Sequence, residues 1–192
     1  MSYTFTIEVL EDSDGDGDPN ELPGDYDPTN PDAPGLNEDL DDDNDGLPDT
    51  NETETGSYVD ESDTGTSPTN PDTDGDGMCD GPNAVSNVCS AGPDAFPHDP
   101  SADTDTDGDG QPDTIDGDST SVPPLVEDED DDGDGLDDVN ETGTGTYVDE
   151  SDTGTDPLDP DTDNDGICDG PNAVPPICCL LYTSPSPRDA ES

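Results

Sequence analysis

The hexapeptide Asp-x-Asp-x-Asp-Gly begins six times in this chain, at Asp12, Asp41, Asp72, Asp105, Asp130 and Asp161, with starts 29, 31, 33, 25 and 31 residues apart. Carboxylates at alternate positions converge when such a segment curls, and a glycine in sixth place tolerates the positive φ of a sharp turn. Convergence is repulsive unless a cation sits among the carboxylates. The chain supplies almost none: 56 acidic residues stand against one basic residue, a formal net charge of −55. Hydrophobic residues make up 23 %, so apolar burial alone cannot offset roughly 1–2 kcal/mol of backbone entropy per residue. A composition of this kind ordinarily means disorder, and order requires another source of folding energy.

The residues around each hexapeptide point to calcium as that source. In the second loop Asp41, Asp43 and Asp45 take positions 1, 3 and 5, Asp49 position 9 and Glu52 position 12. The fifth loop repeats the set with Asp130, Asp132, Asp134, Asp138 and Glu141. These are hard oxygen donors, with a longer carboxylate where a bidentate ligand is needed. The fourth loop has Asp105, Asp107, Asp109 and Asp113, with the shorter Asp116 in twelfth place. The third (Asp72, Asp74, Asp76, Asp80) and sixth (Asp161, Asp163, Asp165, Asp169) carry Asn83 and Asn172 there and lose a carboxylate. The first is the poorest, with Asp12, Asp14 and Asp16 followed by Asn20 and Pro23. Six loops predict about five or more calcium ions. At a Kd of about 10 μM and about 1 mM free calcium, each ion stabilises the fold by roughly 2.7 kcal/mol. The calcium-free chain is therefore expected to be disordered and the calcium form compact.

The chain also duplicates itself. Residues 41–89 align without gaps on residues 130–178, and Tyr58-Val59-Asp60-Glu61-Ser62-Asp63-Thr64-Gly65-Thr66 returns at 147–155. Helical periodicity is missing and Gly-Thr, Asp-Pro and Asn-Pro turn signals separate the loops, so residues 11–178 are expected to be a mostly irregular, calcium-stabilised repeat array. Helix-loop-helix calcium modules fit poorly, because Pro, Gly, Thr and Asp follow the loops.

Gly154-Thr155-Asp156-Pro157 precedes the sixth loop, and Asp94-Ala95-Phe96-Pro97-His98-Asp99-Pro100 precedes the fourth. With the loops themselves, these linkers make residues 12–178 resemble thrombospondin type-3 repeats of the bacterial kind. The resemblance implies a chain wrapped around calcium ions in place of a hydrophobic core. It also implies that linker acids such as Asp94, Asp99 and Asp156 add ligands, a role in doubt where Ser67 replaces the aspartate.

Cys79 and Cys89 recur as Cys168 and Cys178, each pair bracketing Asp-Gly-Pro-Asn-Ala-Val. Two local disulfides are expected, each contributing about 2–3 kcal/mol in the loop-entropy model, in an oxidising, extracellular setting. Zinc is the rival reading; the spacing is not Cys-x2-Cys and His98 is the only histidine. The sequons at Asn51 and Asn140 are read as chance tripeptides, since a glycan there would crowd the twelfth-position ligand.

Residues 1–10 alternate Tyr3, Phe5, Ile7 and Val9 with polar residues, the period of a half-buried strand. They resemble the last strand of a bacterial immunoglobulin-like surface domain; a short, locally packed strand reads equally well. Residues 179–192 resemble a translated sequencing adapter and are set aside from the fold.

The charge excludes nucleic acid and anionic membrane surfaces as partners, and no stretch is long and apolar enough for membrane insertion. A nucleophile–base constellation is missing, which argues against an enzyme. The sequence thus predicts a calcium-binding structural module, a stiffened spacer or stalk flanked by neighbouring domains of a secreted or cell-surface protein. The alternative is an acidic calcium reservoir or biomineral-associated protein, in which charge density matters more than fold.

Overall fold

Each of the six loops is wound on its own carboxylates. In the computed structural model, which describes residues 10–22 and 37–180, the first-position aspartate accepts the N–H of the sixth-position glycine in five loops: Gly46 to Asp41, Gly77 to Asp72, Gly110 to Asp105, Gly135 to Asp130 and Gly166 to Asp161, at 2.8–3.2 Å. The fifth-position aspartate accepts the N–H of position 7, as in Leu47 to Asp45 and Leu136 to Asp134. These turns demand positive φ twice. Position 6 is glycine throughout, with Gly46 at φ 96° and Gly135 at 94°. Position 4 is left-handed as well, and only Gly or Asn occupies it: Gly15, Asn44, Gly75, Gly108, Gly133 and Asn164. These are the residues that bear this conformation at least cost.

Position 9 closes every loop. Its N–H donates to the carbonyl just before the loop and its side chain accepts the N–H of position 2. Asp49 bonds Leu40 O and Asp42 N; Asp80 bonds Pro71 O and Thr73 N; Asp138 bonds Glu129 O and Asp131 N. Asn20, Asp113 and Asp169 do the same. The ninth residue, read from sequence as a metal ligand, is thus first a clasp that fixes the loop's curl, and this engages both carboxylate oxygens of Asp80 and Asp113 and one side-chain oxygen in the other loops.

Regular structure is slight. Among the described residues there are two 3-10 turns, Asp49–Asn51 and Asp138–Asn140, and isolated bridges. After each turn the chain makes a hairpin-like excursion that returns on itself, with Glu54 N to Thr66 O and Gly56 N to Gly65 O, and with Gly143 N to Thr155 O in the copy. The expected irregular fold is therefore observed. The expected N-terminal strand falls, but for Leu10, outside the described residues, as does the tail from Leu181.

The chain divides into two compact units. The first runs to Asp103 and takes in Asp116–Val122; the second comprises Thr104–Ile115 and the chain from Pro123. The interior of both is polar. Among the described residues the buried hydrophobic side chains are Cys79, Ala102, Cys168 and Cys178, whereas Asp43, Asp45, Glu52, Asp80, Asp94, Asp132, Asp134 and Glu141 are at most 6 % exposed. A carboxylate interior takes the place of an apolar one.

Cys79–Cys89 and Cys168–Cys178 are disulfide-bonded, each with Cα atoms 5.1 Å apart. Each bridge ties the residue after a loop to a return segment that pairs with it: Cys79 N to Ser90 O and Ser90 N to Gly77 O, then Cys168 N to Cys179 O and Cys179 N to Gly166 O. The repeat geometry therefore extends one residue past its expected end, through the backbone of Cys179. The Cys179 thiol itself is free and exposed.

Candidate metal centres

The loop winding leaves one oxygen of most carboxylates directed at a common point. Oxygens of Asp12, Asp14 and Asp16 lie within 4.8 Å of one another, as do those of Asp41, Asp43 and Asp45, of Asp72, Asp74 and Asp76, and of Asp105, Asp107 and Asp109. In the fifth loop Asp130 and Asp134 crowd Asp132. In the sixth, Asp165 N bonds both Asp161 and Asp163, which draws those carboxylates together. The loops differ in depth. The second and fifth are sunk in the protein, with Asp45 and Asp134 fully buried, while the first and fourth lie mostly exposed.

A second kind of centre joins successive loops, and it changes the place of the twelfth-position residue. Glu52 gathers with Asp45 of its own loop and Asp80 of the next, all three buried and with oxygens within 4.8 Å. Three contacts build it. The N–H of Gly81 donates to Asp45 Oδ2 at 2.7 Å and the N–H of Asn83 to Asp45 O at 2.7 Å, seating the third loop's exit on the second loop. Thr66, fully buried, donates its hydroxyl to Glu52 Oε1 at 3.0 Å and so aims the carboxylate. Gly81 is obligatory here, because a Cβ would stand 2.4 Å from Asp45 Oδ1. In the second unit Gly170 donates to Asp134, Asn172 N to Asp134 O, and Thr155 to Glu141 Oε1 at 2.8 Å. Asp45 and Asp134 thus serve their own loop and the neighbouring group together. Asn83 and Asn172, read from sequence as ligands lost, are the docking residues of this contact.

Beside the third loop stands a carboxylate of the linker. Asp94 is 6 % exposed, crowds Asp74, Asp76 and Asp80, and accepts the N–H of Phe96 at 2.7 Å. This is a linker acid to which the resemblance gives a ligand's role. At the same offset in the duplicated half the sequence has Thr183, outside the described residues.

Other expected ligands have different surroundings. Asp99 is 1 % exposed, and five donors surround it: Ser101 Oγ at 2.8 Å, Ser119 Oγ at 2.5 Å, and the N–H groups of Ser101, Thr120 and Ser121 at 3.0–3.3 Å. Burial raises its pKa, but these donors outweigh burial and hold it well below the ordinary carboxylate range. It is an anion satisfied by the protein itself. Asp156 is exposed and accepts the Leu158 N–H; the same backbone turn, Asp159 N to Asp156 O, is made by Asn70 N to Ser67 O in the first half. Asp116 is exposed, belongs to the first unit while the rest of its loop belongs to the second, and donates its N–H to Ser101 O. His98 Nε2 pairs with Thr64 O at 3.0 Å, and the Asn51 amide donates to Glu61 O.

The ligand-type carboxylates are in the opposite state to Asp99. Glu52 Oε2, Asp43 Oδ2, Asp94 Oδ2, Asp132 Oδ2 and Glu141 Oε2 are buried without a hydrogen-bond partner. Burial, then Asp43 and Asp45, push Glu52 up to about 9; burial also lifts Asp94 and Glu141 to about 8, and Asp43 and Asp132 to about 7. Residues 10–180 contain no Lys or Arg to pair with them. Buried charges need a partner, and the orphaned oxygens here are hard, anionic and several to a group. That donor set fits calcium, which takes 6–8 oxygens in irregular geometry, better than magnesium, which demands a near-ideal octahedron. The family models, curated proteins and solved structures compared with this chain include no match to it.

Proposed function

We propose that the chain is a calcium-binding structural module, a spacer or stalk of a secreted or cell-surface protein in which ions hold the fold. The observation that carries this reading is the group of Asp45, Glu52 and Asp80: three buried carboxylates converge, Glu52 Oε2 has no partner, and the described residues include no Lys or Arg. Calcium would be held by the loop aspartates and by the groups that join loops, turning mutual repulsion into cross-linking. The disulfides accord with an oxidising compartment. The thrombospondin type-3 resemblance points the same way, and the role proposed is non-catalytic.

The exposed first and fourth loops favour a second reading, a reservoir that binds many ions weakly. A calcium titration of the full chain by calorimetry, with small-angle scattering at each point, separates the two. Saturable binding of about five or more ions with compaction supports the stiffened module. Non-saturating binding to a chain that stays expanded would overturn it in favour of the reservoir.

A further inference from the structure

The loop centres leave one pair of buried carboxylates unused. Position 2 is Ser13, Thr73, Thr106 or Thr162 in four loops, but Asp42 in the second and Asp131 in the fifth. Where threonine stands there, its hydroxyl can satisfy the loop's own clasp: Thr73 Oγ1 donates to Asp80 at 2.6 Å and Thr106 Oγ1 to Asp113 at 2.7 Å. An aspartate cannot donate when ionised. Yet Asp42 is 7 % and Asp131 8 % exposed, and Oδ1 of each is buried without a hydrogen-bond partner.

Both face the preceding loop of their unit and meet the same kinds of neighbour. Around Asp42 stand Asp49, Asp39 and Asp14, with the Asn20 amide beside it. Around Asp131 stand Asp138, Asp113 and Asp128. Asp39 and Asp128 are fixed alike, their N–H groups donating to Pro19 O at 3.0 Å and Pro112 O at 2.9 Å. Asp49 and Asp138 are the clasps of the same loops. Asn20 and Asp113 are the clasps of the loops before. Each of the two compact units thus sets a buried second-position carboxylate near a pre-loop aspartate and two clasps. The preceding clasp is an amide in the first unit and a carboxylate in the second, and in the first Asp14 also stands near.

We propose that Asp42 with Asp39 and Asp49, and Asp131 with Asp128, Asp138 and Asp113, each form a divalent-cation site that pins a loop to the one before it. The site is distinct from the loop centres, whose ligands are at positions 1, 3 and 5. It rests on the reading that the loops hold calcium, and it adds Asp39, Asp42, Asp128 and Asp131, which no Asp-x-Asp-x-Asp-Gly spacing picks out, to the ninth-position residues Asp49, Asp113 and Asp138. The rival is a proton shared between Asp131 and Asp138, which needs no metal.

The test counts calcium ions bound to the full chain, by titration against a chromophoric chelator and by native mass spectrometry at pH 8. The variants are D42T, D131T and their combination; threonine is what three other loops carry at this position, and it keeps the clasp's donor. Each single variant is expected to bind one ion fewer than wild type, and the pair two fewer. An unchanged count in variants that compact normally with calcium overturns the proposal while leaving the loop centres intact. Wild-type protein that binds no calcium overturns both readings. Asn20→Asp supplies a reading that does not depend on losing a residue. It gives the first unit the fourth carboxylate of the second, and Ser13 Oγ can donate to it, so it is expected to tighten one ion by about tenfold. Unchanged or weakened binding in this variant refutes the site.

Discussion

Glu52→Gln should have opposite effects with and without calcium. Glu52 is 4 % exposed, Oε1 accepts the Thr66 hydroxyl and Oε2 has no partner. Without an ion its pKa is about 9 against an ordinary 4.5. At pH 7 the carboxyl must then be protonated in the fold, and holding that proton two and a half pH units above 4.5 costs about 3 kcal/mol at ~1.4 kcal/mol per pH unit. Glutamine has the same shape, keeps an acceptor for Thr66 and bears no charge. It should stabilise the calcium-free fold by about 3 kcal/mol. With calcium the same change removes an anionic ligand from the Asp45–Asp80 group and should weaken binding there by about 10–100-fold, or ~1.4–2.7 kcal/mol. The assay needs both arms. In chelator, the osmolyte concentration that compacts the chain is followed by circular dichroism and scattering, since excluded osmolytes favour burial whether or not the apo chain is folded. In calcium, affinity is followed by calorimetry. A variant that needs more osmolyte in chelator, or one that binds calcium as tightly as wild type, would refute the argument that this carboxylate is buried for an ion.

Three further predictions use other parts of the structure. Gly81→Ala should separate the second and third loops, because the new Cβ meets Asp45 at 2.4 Å from a carboxylate oxygen and 2.5 Å from the backbone carbonyl. A loss of about 1–3 kcal/mol in urea unfolding with calcium is expected, and wild-type stability would refute the docking contact. Asp99→Asn should cost about 1–3 kcal/mol, since an amide cannot accept from all five donors, yet leave the ion count unchanged; a lower count would return Asp99 to the ligands. The pH dependence without calcium follows from the raised groups. Glu52, Glu141 and Asp94 favour the fold fully below their ordinary values near 4, and that contribution is lost as pH rises through about 8 to 9. Asp99, being lowered, acts oppositely: its contribution is present above its ordinary value and is lost as pH falls through its folded value. Chelated protein should therefore compact between pH 8 and pH 5, and calcium added at pH 7 should displace protons into the buffer. Calorimetry in buffers of different ionisation enthalpy measures that release, and compaction at alkaline pH instead would contradict the assignment.

The local geometry of the loops was legible in the sequence. Positions 1, 3, 5 and 6 fix a turn through contacts within a few residues, so their roles follow from residue type and spacing. The pairing of Cys79 with Cys89 and of Cys168 with Cys178 was legible for the same reason, because each bridge spans only ten residues. Position 4 was legible in principle, since only Gly or Asn occupies it; the signal lay in a column that the Asp pattern treats as free. What spacing could not give is where the longer carboxylates go. Glu52 stays beside Asp43 and Asp45 of the loop whose pattern it completes and also meets Asp80, 28 residues later. Asp94 stands among Asp74, Asp76 and Asp80, and Asp99, five residues on in the same linker, meets donors instead of carboxylates. A linear motif records which oxygens are available. Whether each is left bare for an ion or satisfied by an N–H is decided by which distant backbone packs against it, and only the tertiary structure sets that.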